Sequence, residues 1–173
     1  MAAPLRRIVT GHDARGRSVV VRDGAPRALG RFFEMWATEG APAGYGSEDE
    51  VEGRWVRLEP PERGTIFRLF RVDPEDPRIP REELERRAER DFSSIDAGHC
   101  LRDTTRHPTM HETRTVDYII LLQGRVTLVL EEDEVDLEPF DVVIQRGTNH
   151  AWVNRGPEPA LLAAILIDAE PRD

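Results

Sequence analysis

Residues 116–168 read VDYIILLQGRVTLVLEEDEVDLEPFDVVIQRGTNHAWVNRGPEPALLAAILID, and this stretch decides the fold. Val, Ile, Leu and Thr dominate six short runs: Tyr118–Leu122, Val126–Glu131, Val135–Leu137, Val142–Gln145, His150–Asn154 and Leu161–Asp168. β-branched and aromatic residues suit a pleated, half-buried surface, and turn residues punctuate the runs. Strands so short and so closely spaced predict an all-β sandwich or barrel rather than a parallel sheet with crossover helices.

Working outward, Arg6–Thr10 and Ser18–Arg22 read as strands joined by the Gly-rich turn Gly11–Gly16. Phe32–Thr38, Trp55–Leu58 and Thr65–Val72 read as further strands, and Gly40–Gly53 as a mobile surface loop. Residues 80–92, PREELERRAERDF, are the one clear helix. Pro80 suits the first helical position, Glu82 and Glu83 the N-terminal end, and Arg86, Arg87 and Arg90 the C-terminal end. Leu84, Ala88 and Phe92 recur every fourth residue and give a narrow apolar stripe. Such a helix either lies on the outside of the barrel or forms a lid over its mouth. A single domain over 1–173 follows: N-terminal strands over 1–75, a helical insertion at about 79–93, and the conserved barrel over 107–168.

The chain has 173 residues and a net charge of −9. That length can bury a core without disulfides, and that charge argues against nucleic acid, whose phosphates need a basic surface. No apolar run is long enough to span a membrane, and the N-terminus lacks an apolar signal core, so the expectation is a cytoplasmic protein. The sequence contains no lysine, so lysine Schiff-base chemistry and a Walker phosphate loop are excluded. Cys100 is the only cysteine, which rules out an intrachain disulfide. It reads as a passive thiol or, alternatively, a reactive one.

Two segments resemble the motifs of the cupin superfamily. In HETRTVDYIILLQG, His111–Gly124, His111 stands at the first His of the family's His-x-His pair, Thr113 at the second, Asp117 at the Glu and Gly124 at the closing Gly. In FDVVIQRGTNHAWVN, Phe140–Asn154, the positions Gly147, His150 and Asn154 match, whereas Phe140 replaces a usual Gly and Gln145 a usual Pro. The resemblance, to small single-domain bacterial cupins, implies a double-stranded β-helix, jelly-roll-like barrel with one short peripheral helix. Metal-binding cupins use three His and one Glu; here the matching positions hold two His and one shorter carboxylate.

That resemblance implies a pocket in which His111, Asp117 and His150 hold one divalent ion (Fe, Mn, Zn or Ni), leaving coordination positions open. The metal-free alternative pairs His150 with Asp117 for acid–base work; a satisfied polar core without chemistry is the third. Alternation places Asp117, Ile119 and Leu121 on one face, and His150, Trp152 and Asn154 on another. Met110, Thr113, Ile119, Leu121, Gln145 and Trp152 are the expected pocket residues, with Arg114 and Arg146 at the rim and His107 near the mouth. His99 reads as a surface or loop residue. The implied function is a small-molecule enzyme acting on a carbonyl- or carboxylate-bearing, hydrophobic compound by lyase, isomerase or oxygenase chemistry. A non-catalytic ligand-binding or sensor protein is the rival. A homodimer is expected, because small cupins pair and open barrels leave strand edges to cover.

Overall fold

The computed structural model describes residues 4–45, 51 and 53–171. Eleven strands and one α-helix run in the order β1 (Arg7–His12), β2 (Ser18–Gly24), β3 (Arg27–Leu29), β4 (Phe32–Thr38), β5 (Thr65–Val72), α1 (Arg81–Ser94), β6 (Thr115–Gln123), β7 (Val126–Leu130), β8 (Glu134–Leu137), β9 (Val142–Arg146), β10 (His150–Val153) and β11 (Ala160–Asp168). All named strand pairs are antiparallel. A six-stranded sheet, β3-β4-β5-β11-β6-β9, faces a three-stranded sheet, β10-β7-β8, while β1 and β2 form a separate hairpin.

Ile66, Ile119, Leu121, Leu162, Ala164 and Leu166 of the large sheet meet Val126 and Leu137 of the small one in a single core. Among the described residues the fold is an all-β barrel of two facing sheets with one α-helix. Among the described residues no helix is long and apolar enough to cross a membrane.

Three local expectations need correction. Trp55–Leu58 joins no sheet among the described residues; Leu58 N–H donates to the Ile95 carbonyl at 3.2 Å, and the Arg57 carbonyl accepts from the Arg68 guanidinium at 2.5 Å. The short strand β3 escaped notice because three residues carry no readable alternation. Pro80 caps α1 from outside, and the helix runs to Ser94, so its last turn holds no arginine. Arg86 and Arg87 instead pair with Glu83 at 2.9 and 2.8 Å, one turn back. Residues 46–50 and 52 of the expected mobile loop lie outside the described residues.

Two turns fix the register of the motif strands. Gly124 has φ +82°, and a Cβ there would sit 2.8 Å from both Ala160 Cα and the Pro159 carbonyl. Only glycine fits that approach of the β6–β7 turn to β11. Phe140 adopts φ +78° with its ring 80% exposed, a left-handed backbone without packing in return. Its place at a usual glycine of the motif thus has a conformational basis. Phe140→Gly is expected to stabilise the fold by about 1 kcal/mol, the relieved strain exceeding glycine's entropy loss. Urea denaturation checks this; an unchanged or lower midpoint would contradict it.

Candidate functional site

The site begins with a backbone feature. His111, just before β6, and His150, the first residue of β10, exchange both backbone hydrogen bonds, each N–H donating to the other's carbonyl at 2.9 Å. Residues opposed in an antiparallel pair project their side chains to the same face. The two imidazoles therefore lie side by side, with ring centroids 4.3 Å apart.

Each ring is tied down in the same way. His111 Nδ1 lies 2.9 Å from the Thr109 carbonyl, and His150 Nδ1 lies 2.9 Å from the Thr148 carbonyl. A carbonyl only accepts, so each Nδ1 carries the hydrogen and each Nε2 keeps its lone pair. Phe92 of α1 meets His111 edge-on at 4.8 Å, and Trp152 meets His150 at 5.5 Å. Burial in this aromatic setting pushes His150 down to about 4 and His111 well below the ordinary imidazole range; His150's proximity lowers His111 further. Both rings are neutral at pH 7.

A cavity of about 330 Å³ opens from this pair between the barrel and α1. Leu84, Ala88 and Phe92, the helix's apolar stripe, line one side; Phe70, Ile119 and Trp152 line the barrel side. The helix is a cavity wall rather than a purely peripheral element. Phe92 at the end of the stripe also packs with Val56, Ile95 and Cys100 in a second apolar cluster, which anchors the helix beside the cavity.

Asp117 lines the same cavity, but its electrostatic partners are Thr115, Arg68 and Glu59 rather than either imidazole. Burial raises its carboxyl to about 6, opposed by the Thr115 hydrogen bond and the Arg68 charge, and Oδ1 has no hydrogen-bond partner. Arg68 also faces the cavity from β5, buried and paired with Glu34 at 3.1 Å. Burial pushes Arg68 down and Glu34 up, against their mutual attraction.

The expected residues therefore divide. His111 and His150 come together; Asp117, Thr113, Ile119 and Trp152 share their cavity. Thr113 is turned to Thr115, hydroxyl to hydroxyl at 2.7 Å. Met110, Leu121 and Gln145 do not line it. Met110 packs behind the histidines against Val129, Ala151 and Val153, and Leu121 belongs to the sheet-to-sheet core. Gln145 donates to the Thr148 carbonyl at 3.0 Å, holding the turn before His150. Arg31, Arg68, Arg71 and Arg87 supply the cavity's cationic side in place of Arg114 and Arg146. His107 lines the cavity and bonds Thr109 and Glu75, at 2.9 and 3.2 Å. Arg68 was missed although its inward place in β5, between Ile66 and Phe70, was a legible signal.

Residues 102–167 match the family model described as the cupin domain. That stretch runs from just before His107 nearly to the end of β11 and contains both histidines of the pair. Phomopsin biosynthesis cluster protein D of Diaporthe leptostromiformis is 29% identical over 179 aligned positions, covering 95% of this chain and 79% of that protein. A cupin-domain-containing oxidoreductase of Neurospora crassa is 34% identical over 65 residues, 35% of this chain and 33% of that protein. These relatives are fungal. A cupin 2 conserved barrel domain protein from Salinispora arenicola overlaps 61% of this chain and 64% of its own at 17% identity, with a TM-score of 0.38.

Of the four metal-ligand positions of the cupin motifs, two imidazoles have the free Nε2 a metal needs. Thr113 is bonded elsewhere. Among the described residues, Asp117 does not join His111 and His150 in any group of three ligand atoms within 4.8 Å. The donor set at this site does not fit an ion held by three or four protein ligands.

Asp117 has a stability consequence. A carboxyl raised to about 6 from an ordinary 3.8 favours the fold below about pH 4, and that contribution is lost as pH rises through about 6. Asp117→Asn is expected to gain on the wild type by on the order of 2 kcal/mol between about pH 4 and pH 8. Thermal melts across that range check it; a difference that does not vary with pH would contradict it.

Proposed function

We propose that this cupin-domain protein is a small-molecule enzyme that moves a proton on a carbonyl- or carboxylate-bearing compound with a hydrophobic body, in lyase or isomerase chemistry. The observation that carries this reading is the pair of neutral imidazoles, each with Nδ1 held by a carbonyl and Nε2 left as an acceptor. Relatives named as biosynthesis-cluster proteins and a cupin-domain oxidoreductase support an enzyme-like role.

In this reading His150 Nε2 is the base that takes a proton from the carbon next to the substrate carbonyl. Its ring is pre-oriented by the Thr148 carbonyl, so no rotation accompanies the transfer. His111 stays neutral beside it, since charging both rings 4.3 Å apart in a dry site is costly. Asp117, in its protonated form, donates to the developing oxyanion, and Arg68 near it favours negative charge there. Phe70, Phe92 and Trp152 receive the apolar body and exclude water.

The required states are neutral His150 and protonated Asp117. The profile of kcat/KM should thus rise through about pH 4 and fall through about pH 6. The experiment is a panel of aryl-substituted keto acids in deuterated water, scored for deuterium uptake at the carbon next to the carbonyl. His150→Gln is expected to lose about 100-fold or more of that exchange. Ligand-induced stabilisation without exchange for any panel member would favour the non-catalytic binding protein and remove the enzyme.

A homodimer covering Val142 and Ile144, exposed on β9 beside Tyr118 of β6, completes the proposal. Static light scattering reporting a monomer at micromolar concentration contradicts it.

A further inference from the structure

Away from the cavity histidines, Glu59 lies between β4 and β5, and His99 and Cys100 lie in the 3-10 turn Gly98–Cys100 that follows α1. Each offers a ligand atom within 4.8 Å of the others. We propose that Glu59, His99 and Cys100 bind a zinc-class divalent cation, one that takes thiolate, imidazole and carboxylate together and keeps a water as its fourth ligand.

The distances favour this. Cys100 Sγ lies 3.5 Å from His99 Nε2, and Glu59 Oε2 lies 2.8 Å from the same nitrogen. In a tetrahedral site with Zn–S near 2.3 Å and Zn–N near 2.0 Å, sulfur and nitrogen stand roughly 3.5 Å apart, and nitrogen and oxygen roughly 3.3 Å. The first separation is already met, and the second needs about half an ångström of spreading by an exposed imidazole. Glu59 is aimed by its other oxygen, Oε1, which accepts the Arg114 backbone N–H at 2.8 Å. A bond of that kind orients a ligating carboxylate from its outer side.

The protonation balance is simple. Without a cation, burial and the Glu59 carboxylate push the Cys100 thiol up to about 12, so it stays protonated. On binding, the thiol loses one proton to solvent and a sulfur–metal bond replaces the S–H bond; no electron changes hands. One thiolate and one carboxylate then neutralise a doubly charged ion, and His99, with 61% of its side chain exposed, opens the way in. Binding would also brace the active site. The Cys100 carbonyl accepts the Glu112 N–H at 2.9 Å, and Leu101 is bridged to His111.

The test is a titration of the full chain, freed of metal, with Co²⁺, followed by displacement with Zn²⁺. A thiolate-to-cobalt charge-transfer band in the near ultraviolet is expected, together with the visible bands of a four-coordinate ion, and Zn²⁺ should abolish both. Cys100→Ser should remove the charge-transfer band. His99→Gln, at an exposed position that the fold does not need, should weaken binding at least 10-fold. His150→Gln should leave the titration unchanged, which separates this site from the cavity and its proposed chemistry. Absence of the charge-transfer band at millimolar Co²⁺, its persistence at full affinity in His99→Gln, or its loss in His150→Gln would each overturn the proposal.

Discussion

Two backbone hydrogen bonds, exchanged between His111 and His150 at 2.9 Å, set the geometry on which the cavity depends. They join the segment entering the large sheet to the first residue of β10 in the small one, and so close the barrel at this end. Because opposed residues of such a pair share a face, the same bonds force two imidazoles against each other. The Thr109 and Thr148 carbonyls then choose the tautomer, and Phe92 and Trp152 remove the water. Strand pairing places the two rings together, the carbonyls orient them, and burial keeps them neutral.

The opposite side of the cavity obeys a different logic. Asp117 and Arg68 reach it from β6 and β5, the two strands flanking β11, and Arg68 stands opposite the small Ala164 of β11. Arg68 is neutralised by Glu34 from the next strand outward, so the floor carries a balanced pair and one additional carboxyl. A buried pair of this kind adds little stability by itself. What it adds is polarity: an apolar cavity with imidazole nitrogens at one side and, at the other, a guanidinium and a carboxyl raised to about 6. A substrate with a polar group and a greasy body has only a few orientations in such a space.

Most of the barrel was legible because its strands are short, β-branched and separated by unmistakable turns; Gly124 and Phe140 mark two of those turns by backbone conformation. The histidine pair was legible through motif positions, since two residues 39 apart in the chain gave no other sign of meeting. The expected approach of Asp117 to those rings did not follow. Face alternation tells which side of a sheet a carboxylate takes, but its partners depend on the neighbouring strands, here β5 with Arg68. Leu121 was assigned to the cavity by the same alternation and Met110 as an apolar wall residue; both are buried in packed layers behind the cavity, which sequence pattern cannot separate from its wall. The wall made by α1 was visible only as an apolar stripe without a partner. Glu59, His99 and Cys100 were beyond reach, because a carboxylate 40 residues from its imidazole is brought there by an irregular segment.

The measurement closest to the heart of this account is a long-range ¹H–¹⁵N NMR titration of the histidine rings in the intact protein. The account predicts two rings with Nδ1–H and bare Nε2, both still neutral at pH 5. Ordinary titration of either ring near pH 6.5, or a hydrogen on Nε2, would contradict it, because the carbonyl ties and the desolvation they imply would then be absent.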